Sequence, residues 1–101
     1  MTAPGKMKIS EFKQSVSGDA PPAEVTDLGL QALWFAAKGE WDHAHELAQA
    51  DKGKSGDWVH AYLHRAEGDL SNAEYWYSRA GKPVHTGDLP AEWDEIIASL
   101  L

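Results

Sequence analysis

There is no cysteine in this 101-residue chain, which excludes disulfide stapling, thiolate metal sites and thiol nucleophiles. The absence fits a reducing cytoplasm, the compartment expected for it. No stretch approaches the roughly 18 apolar residues of a membrane span. The opening, Met1 to Gln14, has no apolar core of the kind a secretory leader carries, and no membrane partner is expected. Basic residues are scarce: nine Lys and Arg stand against sixteen Asp and Glu, a formal charge of −7. Three of the nine, Lys6, Lys8 and Lys13, fall before residue 14 with only Glu11 opposing them, so the remainder is more acidic still. Such a surface disfavours phosphate backbones, and no nucleic-acid partner is expected. Catalytic signatures are missing as well. There is no Gly-x-Ser-x-Gly elbow, and Gly53-Lys54-Ser55-Gly56 is too short to cradle a phosphate. His45-Glu46 opens like a zinc-protease motif, but the second histidine position is Gln49. The chain therefore reads as non-enzymatic and without a cofactor.

Aromatic residues are what the chain does have. Trp34, Phe35, Trp41, Trp58, Tyr62, Tyr75, Trp76, Tyr77 and Trp93 are concentrated between residues 34 and 93, a density that disordered chains lack. The apolar positions around them have the helical period throughout, so the expected class is all-α. The length suffices for one domain that buries a core without metal or disulfides. Residues 1–20 are expected to form a weakly ordered arm, because Ser17-Gly18-Asp19-Ala20-Pro21-Pro22 breaks regular structure. Within it Ile9, Phe12 and Val16 mark a short amphipathic helix over Lys8 to Ser15. The domain proper spans 21–101. Its first helix is expected from Pro22 to Lys38, with proline in the first turn and Gly39 ending it. Further helices are expected over Trp41 to Ala50, Asp57 to Glu67 (capped by Ser55), Leu70 to Ala80 and Leu89 to Leu100. Trp34 lies in a segment that is apolar nearly all round and belongs at the centre of the core.

An offset of 29 residues, which carries Gly39 onto Gly68, also pairs Ala32 with Ala61, Ala37 with Ala66 and Ala44 with Ala73. Glu40 falls on Asp69, Trp41 on Leu70 and Leu47 on Trp76. Small residues let helices approach, the glycine ends one helix, and the acid-apolar step opens the next. The pattern predicts two stacked helical hairpins. Ala37-Lys38-Gly39-Glu40-Trp41-Asp42-His43-Ala44 and Ala66-Glu67-Gly68-Asp69-Leu70-Ser71-Asn72-Ala73 resemble the middle of a tetratricopeptide repeat, whose own period is about 34 residues. The resemblance covers residues 28 to 81 and implies two tetratricopeptide-like hairpins, a C-terminal capping helix and the short N-terminal arm. It also implies a groove that takes a protein or peptide partner. The run Trp58-Val59-His60-Ala61-Tyr62-Leu63-His64-Arg65 with Asn72-Ala73-Glu74-Tyr75-Trp76-Tyr77 resembles small bacterial proteins of unknown function, which adds no activity.

Chemistry-bearing residues are few. His60 and His64 are four apart on one helix, so both imidazoles project from one face, and Glu67 continues the line. Two histidines and a carboxylate are a ligand set for zinc, nickel or iron. The alternative is a groove edge where both rings make local hydrogen bonds, with no metal bound. Phe35, the counterpart of His64 in the first hairpin, suggests partial cover that favours a neutral imidazole. His43 and His45 are two apart and cannot chelate together, and His85 lies in a polar loop. Tyr75 falls outside the Trp76 and Tyr77 stripe, beside Arg79, and this pair is a second candidate for partner recognition. The favoured function is a non-catalytic protein- or peptide-interaction module, monomeric or weakly dimeric. The alternative is a metal- or small-ligand-binding protein that uses His60, His64 and Glu67.

Overall fold

Among the described residues, aspartates open three helices and left-handed glycines close three. The computed structural model describes residues 7–101, and among these there are six helices and no strand. They are α1 (Ile9–Ser15), α2 (Leu28–Ala37), α3 (Trp41–Ala50), α4 (Lys54–Ala66), α5 (Leu70–Ala80) and α6 (Leu89–Leu100). The all-α class is as the periodicity predicts. The Asp27 carboxylate accepts from the Leu30 amide at 2.9 Å and Asp88 from Ala91 at 2.8 Å, so each satisfies an amide that the helix cannot. At the other end, Gly39 and Gly68 adopt φ of +81° and +84°, a conformation that strains any other side chain. The Glu40 amide then reaches back to the Phe35 carbonyl at 3.0 Å, and the Asp69 amide to that of His64 at 2.9 Å. The two closures match bond for bond at the 29-residue offset read from the sequence.

Two helix starts differ from expectation. α2 begins at Leu28, not Pro22, because the first turn is organised by Asp27; Pro22 instead accepts the Val25 amide in a separate turn. α4 begins at Lys54, so Ser55 lies inside the helix rather than capping it. The loop-like glycine there has a packing role. A Cβ on Gly56 would collide with the Asp51 carbonyl, and Asp51 itself accepts from the Gly53 amide and the Ser55 hydroxyl at 2.9 and 3.2 Å.

α2 packs on α3, α3 on α4 and α4 on α5, and α2 also meets α4. α6 lies across α2 and α4, and α1 packs on α6. The core between these layers holds Leu33, Trp34, Val59, Leu63, Tyr77, Ile96 and Ile97, with Trp34 fully buried. Trp93 donates its indole N–H to the Leu33 carbonyl at 3.0 Å, which fixes α6 against α2.

The expected weakly ordered arm needs correction over its described part, residues 7–20. Phe12 is fully buried and packs on Trp93 with ring centroids 5.7 Å apart. Ser15 accepts the Trp34 indole N–H at 3.0 Å, and Lys38 donates to the carbonyls of Val16 and Gly18 at 2.8 and 2.9 Å. One aromatic anchor and three hydrogen bonds outweigh the glycine-proline break that follows. Residues 1–6 lie outside the described part.

Glu92 is fully buried, although its place in the first turn of α6 suggests a solvated, dipole-stabilising acid. Arg65 Nη1 donates to its Oε1 at 2.9 Å, and the Tyr77 hydroxyl donates to its Oε2. Arg65 also donates to the Gly87 carbonyl, so one arginine holds both the helix and the turn before it. Burial and the Glu92 carboxylate push the Tyr77 hydroxyl pKa far up, and burial first, then Glu92, raises that of Tyr62 to about 12.

Candidate metal centre

Small residues let α3 and α4 approach, and three imidazoles meet between them. On α3, Ala44 and Ala48 are buried, and His45 shares their stripe. On α4, His60 and His64 stand one turn apart. The ring centroids of His45 lie 5.4 Å from His60 and 5.3 Å from His64. His60 and His64 are stacked at 4.8 Å with their planes 13° apart. One ring nitrogen from each of the three lies within 4.8 Å of the other two. Nitrogens bound tetrahedrally to zinc at 2.0–2.1 Å are about 3.3 Å apart, so the rings must close by roughly an ångström or more where they stand furthest apart. Because the lone pairs lie in the ring planes, His60 and His64 must also rotate out of their parallel stack to converge on one ion.

Carboxylates line the outer edge of this cluster. His45 Nε2 lies 2.9 Å from Glu67 Oε2, and His64 Nδ1 lies 3.5 Å from Glu67 Oε1 and 3.8 Å from Asp69 Oδ2. That His64 nitrogen is buried and has no hydrogen-bond partner. When Glu67 accepts the proton on His45 Nε2, the lone pair of that ring is left on Nδ1. His60 is the most enclosed of the three, with 5% exposure. Its outer face stacks on Trp76 at 4.0 Å and 19°. Burial, followed by the neighbouring His64 and His45, lowers its pKa from 6.5 to about 4, against an opposing pull from Asp57 and Glu67. His60 is therefore neutral at physiological pH, with a lone pair free of proton competition.

Of the residues singled out in the sequence, the fold brings His60, His64 and Glu67 together. Glu67 touches two rings from outside, in the place of an orienting carboxylate. Phe35 gives its cover to a different ring, packing on His43 with centroids 3.9 Å apart and the planes tilted by 30°. His85 accepts the Gly87 amide at 3.0 Å, a local loop bond. Tyr75 and Arg79 form a surface pair: Arg79 Nη1 donates to the Tyr75 hydroxyl at 3.3 Å. Arg79 Nε is also 3.7 Å from Asp57. Its guanidinium lies 5.3 Å from the centre of Trp76, the ring stacked on His60. The residue missed in the sequence is His45. Its partners are on another helix, so spacing alone hides it, although Trp41, Ala44, His45 and Ala48 follow the i, i+3, i+4, i+7 stripe that faces α4. Among the described residues no helix is long and apolar enough to cross a membrane. No family model matches the chain, and neither a curated protein nor a solved structure matches it.

Proposed function

We propose that this chain is a metal-binding domain whose ligands are His45, His60 and His64. The observation that carries the reading is the convergence of three imidazoles from two helices, with one nitrogen of each within 4.8 Å of the others. Neutral imidazoles favour zinc, copper and nickel over calcium and magnesium, which take oxygen ligands. Glu67 acts as the outer carboxylate that sets ring tautomers and orientation. Three protein ligands leave a fourth position open. The interaction-module reading rests on the repeat resemblance alone, whereas the metal reading rests on three converging imidazoles, so the metal reading is preferred.

Isothermal titration of chelator-treated protein with zinc, nickel and copper tests it, alongside elemental analysis of untagged protein. One metal per chain is expected. His45→Ala, His60→Ala and His64→Ala should each abolish tight binding, while Glu67→Gln weakens it by about 10–100-fold. No saturable uptake of any of the three metals at micromolar concentration would overturn the proposal, as would unchanged binding by His45→Ala.

A further inference from the structure

An open cleft of about 410 Å³ lies where α1, α2, α4 and α6 meet, and it shares no residue with the histidine cluster. Val16, Ala37, Leu89, Pro90 and Trp93 give it apolar walls, and its volume falls in the range of small-ligand sites. One inward polar group interrupts these walls. Tyr62, on α4, is only 8% exposed and lines the cleft. Its hydroxyl makes no hydrogen bond among the described residues. The nearby Glu92 oxygens are taken, one by Arg65 and the other by Tyr77. Among the described residues, the one fully enclosed side-chain nitrogen or oxygen without a partner is His64 Nδ1. The Tyr62 hydroxyl therefore keeps an accessible surface, and the space beside it is this cleft. A donor so nearly enclosed is satisfied by whatever fills that space.

Charge narrows the occupant. Burial, then the Glu92 carboxylate, raises the Tyr62 pKa to about 12 against a weaker pull from Arg65, so the phenol stays a neutral donor at physiological pH. The Glu92 charge that holds this proton also opposes an anion beside the hydroxyl. At the exposed side of the cleft Lys13 and Asp94 pair at 3.0 Å, which leaves that side neutral in sum. Apolar walls, one unused donor and no unpaired charge fit an uncharged ligand.

We infer that this cleft binds a small neutral molecule with an apolar body and one carbonyl oxygen, which accepts the hydrogen bond of the Tyr62 hydroxyl. The site does not depend on the metal reading.

Chelator-treated protein is titrated with acetophenone, toluene and benzoate, and proton–nitrogen correlation spectra follow the Trp93 indole N–H. Acetophenone should shift this resonance saturably, with a dissociation constant on the order of 1 mM. Benzoate, similar in size but charged, should bind at least about tenfold more weakly. Tyr62→Phe should weaken acetophenone by about three- to tenfold and leave toluene, which has no acceptor, unchanged. Its melting temperature should match that of the native chain, because the hydroxyl holds nothing within the fold. Ala37→Leu, at an exposed part of the wall, should fill the cleft and remove the acetophenone response. No saturable shift with acetophenone would overturn the inference, as would benzoate binding equally well. Unchanged acetophenone binding by either variant would also overturn it. So would a lowered melting temperature for Tyr62→Phe, which would place the hydroxyl in a bond within the protein.

Discussion

A carboxylate withdrawn from water must be held by donors, and Glu92 has two, the Arg65 guanidinium and the Tyr77 hydroxyl. Their worth is asymmetric. The intact pair roughly offsets its own desolvation, whereas removal of one partner strands a charge in the core. Arg65→Ala should therefore reduce stability by about 3–5 kcal/mol in urea unfolding. The double replacement Arg65→Met with Glu92→Leu should recover most of that loss. A single-mutant loss under about 1 kcal/mol would show that water reaches Glu92 in solution. Trp34 poses a different problem, one of volume. It is fully buried among Leu33, Leu63 and their neighbours, and Trp34→Ala should cost about 3–5 kcal/mol through the cavity it leaves. A loss under about 1 kcal/mol would show that α2 is peripheral to folding. Trp34 is recognisable as core from sequence because its whole segment is apolar. Glu92 is not, because nothing local distinguishes a buried helix-start acid from a solvated one; Arg65 and Tyr77, 27 and 15 residues earlier, make the difference.

At the scale of elements, α3, α5 and α6 are legible with their ends because punctuation and periodicity agree there. The acid-apolar steps after Gly39 and Gly68 open α3 and α5, Gly81 closes α5, and Asp88-Leu89-Pro90 opens α6. The starts of α2 and α4 are not legible in the sequence, for opposite reasons. Pro22 has the signature of a first-turn proline but serves a separate turn, and Gly56 has that of a loop residue but is a close-approach glycine within α4. α1 was readable as a helix but not as an anchored one, since its seven residues are anchored through Phe12, which packs on Trp93 at the far end of the chain. Phe12→Ala should accordingly lower the melting temperature by at least about 12 °C, the equivalent of roughly 3 kcal/mol in a domain this size. A shift of less than about 4 °C would mean that α1 is detached from α6 in solution.

For the molecule as a whole, the histidine site shows where sequence reading ends. His60 and His64 are legible because one helix holds both; His45 joins them only when the first hairpin packs on the second. That packing also makes stability depend on pH, with a sign that follows from His60. Its pKa is about 4 in the fold and 6.5 as a free group. Between these values the unfolded chain holds a proton that the folded chain does not, so stability rises with pH across the window. It is complete above pH 6.5 and is lost as pH falls toward 4. At the alkaline end Tyr62 acts in reverse, because the fold retains its proton up to about pH 12 where the free group releases it near 10, and stability falls between those values. Urea midpoints of chelator-treated protein should follow this profile, and His60→Gln should flatten the acid limb relative to the native chain. Zinc adds a second, separable layer. At 100 times its dissociation constant it should stabilise by about 2.7 kcal/mol near neutral pH, since only the folded chain gathers all three rings. Protons compete for the same nitrogens, so this increment should vanish by about pH 4, where His60 reaches its own folded pKa. Superimposable acid limbs for the native chain and His60→Gln would place His60 in water, and a zinc increment that survives at pH 4 would place the metal on carboxylates instead of these rings.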